Sequence, residues 1–394
     1  MRKTFWNNRK SETGTRGEIR LGSRSGSFLK SERTIAFIAA VITVLIGLLV
    51  GFFILLFVAP EKAVLGMQIL TSGGFGRIGV ISGIGRVLYY AVPLIMCGLS
   101  VGFSLRANIF NIGVAGQYMM GMSAAIFVGI YGAGSFGSFS WVIAILAGGA
   151  AGAAWGLIQG LLQAYFRINA IICGIMLNYV GVYLANMLMM SSQRIYVQGN
   201  GWTQTVPDAF VLPKSGFDLL LGANTNANVG IIICIILCIV TWWILKKTTL
   251  GYEIKAVGLN NDASLYAGIS TPKTIIVSMT ISGAFAGFGG AMNQLGASGT
   301  RYMVSDNLPA QGMTGISVAL IAASNPIGII VSGLLIAFFQ VGGVNMSSLG
   351  LDPQFVSVIT SVIIYCCAFS LIIRYLLKKL FNRTNGKRKD KQNA

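Results

Sequence analysis

The chain alternates between long apolar runs and short polar segments. From Thr34 onward, runs of about 20 residues with almost no charged side chain recur, and a helix of that length spans the hydrocarbon core of a bilayer. We therefore predict an all-α polytopic membrane protein with about ten transmembrane helices. The predicted spans lie at about 34–58, 87–104, 109–131, 139–165, 170–190, 229–245, 274–295, 308–323, 327–345 and 354–376.

One polar segment, residues 248–273, has its own helix signals, and we call it the polar island. Asn260 suits a helix N-cap and Asp262 suits the positive end of a helix dipole, whereas Gly268 suits a left-handed C-cap. These signals predict a short capped helix at about Asp262–Ala267. Two interpretations remain open at this point: a solvated loop with ordinary caps, or a docking helix for a soluble partner.

Charge is concentrated at the two ends of a chain that is 54% hydrophobic and carries a formal net charge of +18. Residues 1–33 contain nine Lys/Arg and three Asp/Glu, and residues 374–394 contain eight and one. Basic tails beside membrane spans are typical of segments that fix topology and face anionic lipid. We predict a basic arm (1–33), a transmembrane domain (34–376) and a basic tail (377–394), and no nucleic-acid partner.

The basic residues also predict an orientation. With both termini in the cytoplasm, the inner segments carry 23 Lys/Arg and the outer segments carry six. The positive-inside rule favours this arrangement, which agrees with an even number of spans. The polar island then lies on the cytoplasmic side.

A weak internal repeat connects two of the spans. Gln117–Ile126 aligns without gaps on Gln311–Leu320, and five of the ten positions are identical. Since the two segments would cross the membrane in opposite directions, we predict that spans 2–5 and 7–10 form an inverted repeat, although chance similarity is a rival in spans so rich in small residues.

Glycines at four-residue spacing form small-residue stripes on two predicted spans. One stripe contains Gly148, Gly152, Gly156 and Gly160, and the other contains Gly283, Gly287 and Ala291. Such stripes allow helix backbones to approach closely, so we predict that they serve packing alone.

Amide side chains are the main polar groups inside the predicted spans. An amide in hydrocarbon needs a partner, so these groups are expected to bond between helices or to line a path for a neutral, hydrogen-bonding substrate. No Asp or Glu falls inside a predicted span, which argues against an ion-coupled carrier, except one whose sodium site is built from carbonyl groups. The amides that we predict near a substrate path are Asn111, Gln117, Asn178, Asn293 and Gln311.

The chain contains few side chains that are suited to catalysis or metal binding. The chain has no histidine, its six cysteines all lie in apolar runs, and no acidic pair falls within the spans. Acid–base and metal-assisted chemistry therefore lack suitable residues, and no metal site or disulfide framework is predicted. A membrane-embedded enzyme is therefore the function class with the least support from the residues.

Three motifs in order carry a resemblance that extends over roughly residues 85–380. They are Ser104–Gln117 with Phe110-Asn111-Ile112-Gly113, the island segment Gly251–Ile269, and Gly312–Leu320 followed by Asn325-Pro326-Ile327-Gly328. Together they resemble the branched-chain amino acid and ribose permease superfamily of bacterial ABC importers, and most of all the nucleoside permeases that work with a basic membrane lipoprotein. One departure is Ala115, where relatives often have an acidic residue.

The resemblance implies a function in transport, for a subunit that is not itself an enzyme. Such a permease lies in the bacterial cell membrane and forms half of a nucleoside pathway with a second, related permease, while an extracytoplasmic lipoprotein delivers the substrate. A cytoplasmic ATPase would dock on the polar island, and because the chain has no Walker sequence, ATP and Mg²⁺ would be bound by that partner and no cofactor by this chain. The residues expected to couple to the ATPase are Gly258, Asn260, Asp262, Leu265, Tyr266 and Gly268.

Other transport functions stay open beside this one. The same superfamily includes permeases for sugars and for branched-chain amino acids. An ion-coupled secondary transporter is an alternative of a different class, since inverted repeats also occur there.

Overall fold

The computed structural model describes residues 32–73, 80–132, 137–222, 225–369 and 372–379. Most of the predicted basic arm and basic tail lies outside these residues. Within them the protein is built of helices and one small hairpin, and residues 372–379 are also helical. In chain order the helices are α1 (Glu32–Val58), α2 (Ala63–Ser72), α3 (Val80–Ser104), α4 (Val114–Tyr131), α5 (Ser140–Tyr165), α6 (Ala170–Met190), α7 (Phe217–Leu221), α8 (Gly230–Lys247), α9 (Thr249–Leu259), α10 (Asn261–Tyr266), α11 (Thr271–Gln294), α12 (Ala310–Ile321), α13 (Pro326–Met346) and α14 (Pro353–Ala368).

Eight of the described helices are long and apolar enough to cross a membrane: α1, α3, α4, α5, α6, α8, α11 and α13. This confirms the predicted all-α polytopic architecture. The predicted spans 8 and 10 correspond to α12 and α14, which are shorter apolar helices of 12 and 16 residues. A 12-residue helix is only about 18 Å long, against a hydrocarbon core of about 30 Å. The helix α2 was not predicted, and it packs against α13 and α1.

The helix α11 is the centre of the bundle, because it packs against α3, α4 and α5. Its contact with α5 is made by the two predicted glycine stripes, which face each other. A Cβ added to Gly152 would lie 2.7 Å from the Cα of Gly287, and one added to Gly156 would lie 3.0 Å from the Cα of Gly283. The predicted packing role of the stripes is therefore confirmed.

The long polar segment between α6 and α8 folds at one end of the bundle. Its strands β1 (Tyr196–Val197) and β2 (Trp202–Thr203) form an antiparallel hairpin, and the Thr203 amide donates to the carbonyl oxygen of Tyr302 at 2.9 Å. Tyr302 in turn donates from its hydroxyl to Asn186 on α6, at 3.1 Å, and burial raises the pKa of Tyr302. The helix α8 leads from this end to the polar island at the opposite end.

Candidate functional site

The polar island contains two helices, α9 and α10. The second confirms the predicted capped helix to within one residue. Asn260 accepts a hydrogen bond from the amide of Ala263 at 3.0 Å, as an N-cap should. At the other end Gly268 has φ +79°, its amide donates to Leu265, and the Ile269 amide donates to Ser264, which is a Schellman cap.

Large apolar side chains of the island are turned outward. Tyr266 is 95% exposed and Leu265 is 61% exposed. Asp262, which was also predicted to couple to a partner and lies in the first turn of α10, is exposed as well. The structure adds Leu259 and Tyr252, which are 88% and 69% exposed. Exposed aromatic and apolar residues grouped on a polar segment are typical of a protein interaction surface.

Sequence reasoning missed Tyr252 and Leu259 because the helix α9 was not predicted. Leu259 lies seven positions after Tyr252, which places the two side chains two turns apart on one face. The pattern was present: Gly251, Ile254 and Val257 are buried at helical spacing on the opposite side of α9.

The island is anchored to the turn between α3 and α4. A Cβ on Gly258 would overlap the carbonyl oxygen of Arg106, so the predicted coupling residue Gly258 allows α9 to contact this turn. From the same turn Arg106 donates through Nε to the carbonyl oxygen of Ser324, at 2.8 Å, between α12 and α13. On the other side, the Thr271 hydroxyl donates to the side-chain oxygen of Asn261 at 2.7 Å and holds α10 against the start of α11.

Beyond the same turn, at the start of α4, lies a buried cluster of polar side chains that we call the amide network. Asn111 donates to Gln117 at 2.9 Å and to the Ser282 hydroxyl at 2.8 Å, and Gln117 donates to Gln159 at 2.9 Å. The Ser282 hydroxyl also donates to the carbonyl oxygen of Ser100, at 2.7 Å. All five side chains have no measurable exposure within this chain.

Three members of the network, Ser100, Ser282 and Gln159, are not among the pathway residues predicted from the sequence. A serine in a span gives no distinctive signal, since its hydroxyl can bond to its own helix. The Gln159 side chain also has a buried Nε2 group that finds no partner among the described residues. The network therefore has one donor available for a further hydrogen bond.

Asn178 has a positioning role beside the network. Its side-chain oxygen accepts from the amide of Gly116 at 2.8 Å, and its nitrogen donates to the carbonyl oxygen of Ile112 at 2.9 Å. The amides of the first helical turn have no partner within the helix, so Asn178 on α6 satisfies one of them from outside. It fixes the start of α4.

The other two predicted pathway residues lie apart from the network. Gln311 and Asn293 are half-buried, and within the described residues neither side chain bonds to the network. The residue after Gln311 packs tightly: a Cβ on Gly312 would lie 2.6 Å from the Cα of Ala115. Ala115, where the superfamily often has an acidic residue, is fully buried in this contact.

Metal binding has no support in the described part of the chain, where no group of three or more Cys, Asp or Glu side chains comes together. The spanning segments also contain no carboxylate. The arrangement offers hydrogen bonds from neutral groups, together with an exposed apolar surface at one end. These properties suit passage of an uncharged polar solute and contact with a soluble protein.

Comparison with known proteins matches residues 83–368 to the family described as branched-chain amino acid transport system / permease component. No solved structure matches the chain.

Three relatives of known name are similar over most of their length. The guanosine ABC transporter permease protein NupP of Bacillus subtilis is 33% identical over 343 residues, which cover 86% of this chain and 95% of the relative. The nucleoside ABC transporter permease protein NupB of Lactococcus lactis is 35% identical over 308 residues, or 77% and 83% of the two chains. The glucose ABC transporter permease protein TsgB13 of Haloferax volcanii is 30% identical over 310 residues, or 76% and 80%.

Proposed function

The chain belongs to the family of branched-chain amino acid transport system permease components, and on this premise we propose that it is a permease subunit of a nucleoside ABC importer. It would form half of a pathway through the plasma membrane. The observation that carries the proposal is the similarity over most of the chain to two permeases named for guanosine and nucleoside transport. The neutral amides inside the bundle support it, because a nucleoside is an uncharged solute with many hydrogen-bonding groups.

A glucose permease is the second candidate function. It is favoured by the relative from Haloferax volcanii, which is 30% identical to this chain over 310 residues. A proton-coupled carrier has weaker support, because such carriers normally place ionisable side chains inside their spans and these spans have no carboxylate.

The substrate path in this proposal runs beside the half-buried amides Gln311 and Asn293. Their partial exposure leaves hydrogen-bonding groups for a solute. Asn111, Gln117 and Asn178 are bonded within the chain, so they would meet a substrate only in a state in which the amide network opens. In such a state the unpaired Nε2 of Gln159 would be a donor for an acceptor atom of the solute.

The partners in this proposal are a second permease, a substrate-binding lipoprotein and a cytoplasmic ATPase that hydrolyses ATP. The ATPase would dock on the polar island, where Leu265 and Tyr266 project from a helix of six residues. So short a helix is not stable alone in water. Its caps and its bond to α11 hold it in place, and Gly258 lets the island rest on the turn before α4.

This geometry gives a route for coupling. A displacement of α9 and α10 acts directly on the turn at Arg106, because the two are in backbone contact at Gly258. That turn leads into Asn111 and the start of α4, where the amide network begins. An ATPase that moves the island would therefore move the polar centre of the bundle.

The double change Leu265→Ala, Tyr266→Ala tests the docking surface. Truncating side chains at the centre of an interface costs at least about 2 kcal/mol of binding free energy. The double variant should therefore bind the ATPase roughly thirtyfold more weakly or worse, and nucleoside uptake should fall with the binding. Co-purification of the ATPase and uptake of labelled nucleoside are the two measurements.

A matched control is available at the opposite end of the molecule. Leu219 and Leu220 on α7 are 89% and 76% exposed, so Leu219→Ala, Leu220→Ala removes a similar adjacent pair. The control should retain ATPase binding. If both double variants bind the ATPase as the unchanged chain does, the docking surface lies elsewhere.

A further inference from the structure

Three cationic side chains from three separate elements line one cavity at the island end of the bundle. Lys246 lies in the last turn of α8, Lys255 lies on α9, and Arg106 lies in the turn after α3. Trp242, Leu245, Asn325 and Pro326 complete the wall of this space, which has a volume of about 160 Å³. We call it the cationic cavity.

The three cations have no carboxylate partner within the described residues. Arg106 uses Nε for the carbonyl oxygen of Ser324, at 2.8 Å, which leaves its terminal nitrogens for another acceptor. The ammonium group of Lys246 lies 4.8 Å from the centre of the Trp242 ring, in a cation–π contact. Like charges around one space repel, so the arrangement favours an anion between them.

The start of α13 adds to the positive potential. Asn325 and Pro326, which line the cavity, begin a helix of 21 residues. Asn325 caps it by accepting from the amide of Ile327 at 3.1 Å. The positive end of this long helix therefore lies at the same cavity as the three cations, and helix N-termini favour phosphate and other oxyanions.

The cavity is continuous with a surface suited to acyl chains. One side of the spanning helix α8 contains, in order, residues 235, 239, 242 and 246. Ile235 and Ile239 are 37% and 51% exposed, Trp242 comes next, and Lys246 ends the row at the cavity. Apolar residues followed by tryptophan and lysine are typical of the passage from hydrocarbon to headgroup region.

We propose that the cationic cavity binds the phosphate headgroup of an anionic phospholipid, with an acyl chain along Ile235 and Ile239. Basic pockets between membrane helices are a recognised mode of binding such headgroups. A free phosphate or nucleotide shares the headgroup chemistry but makes no use of the apolar row on α8.

The bound headgroup would join α8, α9 and the turn at Arg106. It would thereby hold the polar island in one position relative to the bundle, and anionic lipid would affect the island directly. The proposal goes beyond the transport function and does not depend on it, because lipid binding can be measured without the ATPase, the lipoprotein or a transported solute.

The test is lipid binding to the purified full chain in neutral detergent, followed by native mass spectrometry. Phosphatidylglycerol and phosphatidylcholine of equal chain length are the probes. The unchanged chain should bind phosphatidylglycerol more tightly. The double change Lys246→Gln, Lys255→Gln should weaken that binding about thirtyfold, the factor expected from two charges near a headgroup.

The matched control is Lys247→Gln, Lys273→Gln, which removes two exposed lysines at the same end of the molecule that do not line the cavity. It should bind phosphatidylglycerol as the unchanged chain does, and so should Lys246→Arg, Lys255→Arg, which keeps both charges. Equal losses in the two glutamine doubles would overturn the proposal, because they would indicate general surface charge.

Two further arms use only the unchanged chain. Equal affinity for phosphatidylglycerol and phosphatidylcholine would contradict an anion site. Inorganic phosphate that displaces the lipid at equal concentration would show a free-phosphate site in place of a lipid site. Lipid binding that resists millimolar phosphate is the expected result.

Discussion

At the scale of single residues, the buried amides of this protein are satisfied by partners far away in the sequence. Gln117 bonds to Asn111 on one side and to Gln159 on the other, and Asn178 on α6 holds the first turn of α4. Removing one partner would leave buried polar groups without a hydrogen bond, which costs more than the bond itself contributes. Gln311, half-buried and outside the network, has no such structural role in the described residues.

The pair Gln117→Leu and Gln311→Leu separates structural from transport roles. Gln117→Leu should destabilise the purified protein by about 1–3 kcal/mol, because it removes the partner of the Gln159 side-chain oxygen and one of the hydrogen bonds of Asn111. Gln311→Leu should leave stability unchanged and reduce nucleoside uptake at equal amounts of protein in the membrane. Thermal unfolding in detergent and uptake of labelled nucleoside are the measurements. Normal uptake by the Gln311 variant would remove that residue from the path.

The sequence predicted which residue types the site uses, but not which of them meet. Asn111, Gln117 and Asn178 were identified as amides in spans, and they do lie together. Their bonds to Ser282 and Gln159 join residues 171 and 42 positions apart, and such pairings arise from helix packing, which the chain order does not contain. The motif at Phe110–Gly113 indicated where along the chain the site begins, whereas no sequence pattern marked Ser100 and Ser282 as partners.

At the scale of elements, helix ends and helix faces differed in how far they could be predicted. The caps of α10 depend on Asn260 and Gly268, which act within a few residues, so its ends were predicted to within one residue. The helix α9 was missed because its buried positions form only a short apolar stripe between polar ones. The short helix α12 was predicted as a full span because its apolar run extends beyond Ala310–Ile321. The predicted span that contains α14 was longer because it also includes part of the helical residues 372–379.

The contact between α5 and α11 shows what the glycine stripes do. Backbone atoms of Gly152, Gly283 and Gly287 approach so closely that no Cβ fits between them. Without a hydrophobic drive between helices in lipid, close packing is the main source of their association.

Gly152→Val should therefore destabilise the bundle by about 1–3 kcal/mol through overpacking, measured as a lower Tm in detergent. Ala154→Val is the matched control, because Ala154 is an exposed position on the same helix and the added methyl groups meet no neighbouring helix. An unchanged Tm for Gly152→Val would mean that α5 and α11 do not make this contact in the membrane.

At the scale of the whole molecule, orientation in the membrane remains a prediction from charge. The apolar runs were sufficient to predict a polytopic helical protein, and eight described helices confirm it. The helix α8 separates the polar island from the hairpin segment, so the two lie at opposite ends. The excess of Lys/Arg in the predicted inner segments predicts that the island and both termini lie in the cytoplasm.

Two cleavable tags test this orientation. A tag after Ala394 should be cut by added protease only when the cytoplasmic face is accessible, and a tag within residues 199–226 should be cut from outside in intact cells. Immunodetection of the cleaved fragments is the measurement. Cleavage of both tags from the same side would contradict the predicted topology.

The proposed function is tested most directly by uptake of labelled nucleoside in cells that carry or lack this chain, with its partners present. The account predicts that uptake requires the chain, and that unlabelled nucleosides reduce it whereas glucose and leucine do not. It also predicts that uptake persists when ionophores abolish ion gradients and stops when ATP is depleted. Uptake that stops with the ion gradient while ATP remains, or that glucose outcompetes, would contradict a nucleoside ABC importer.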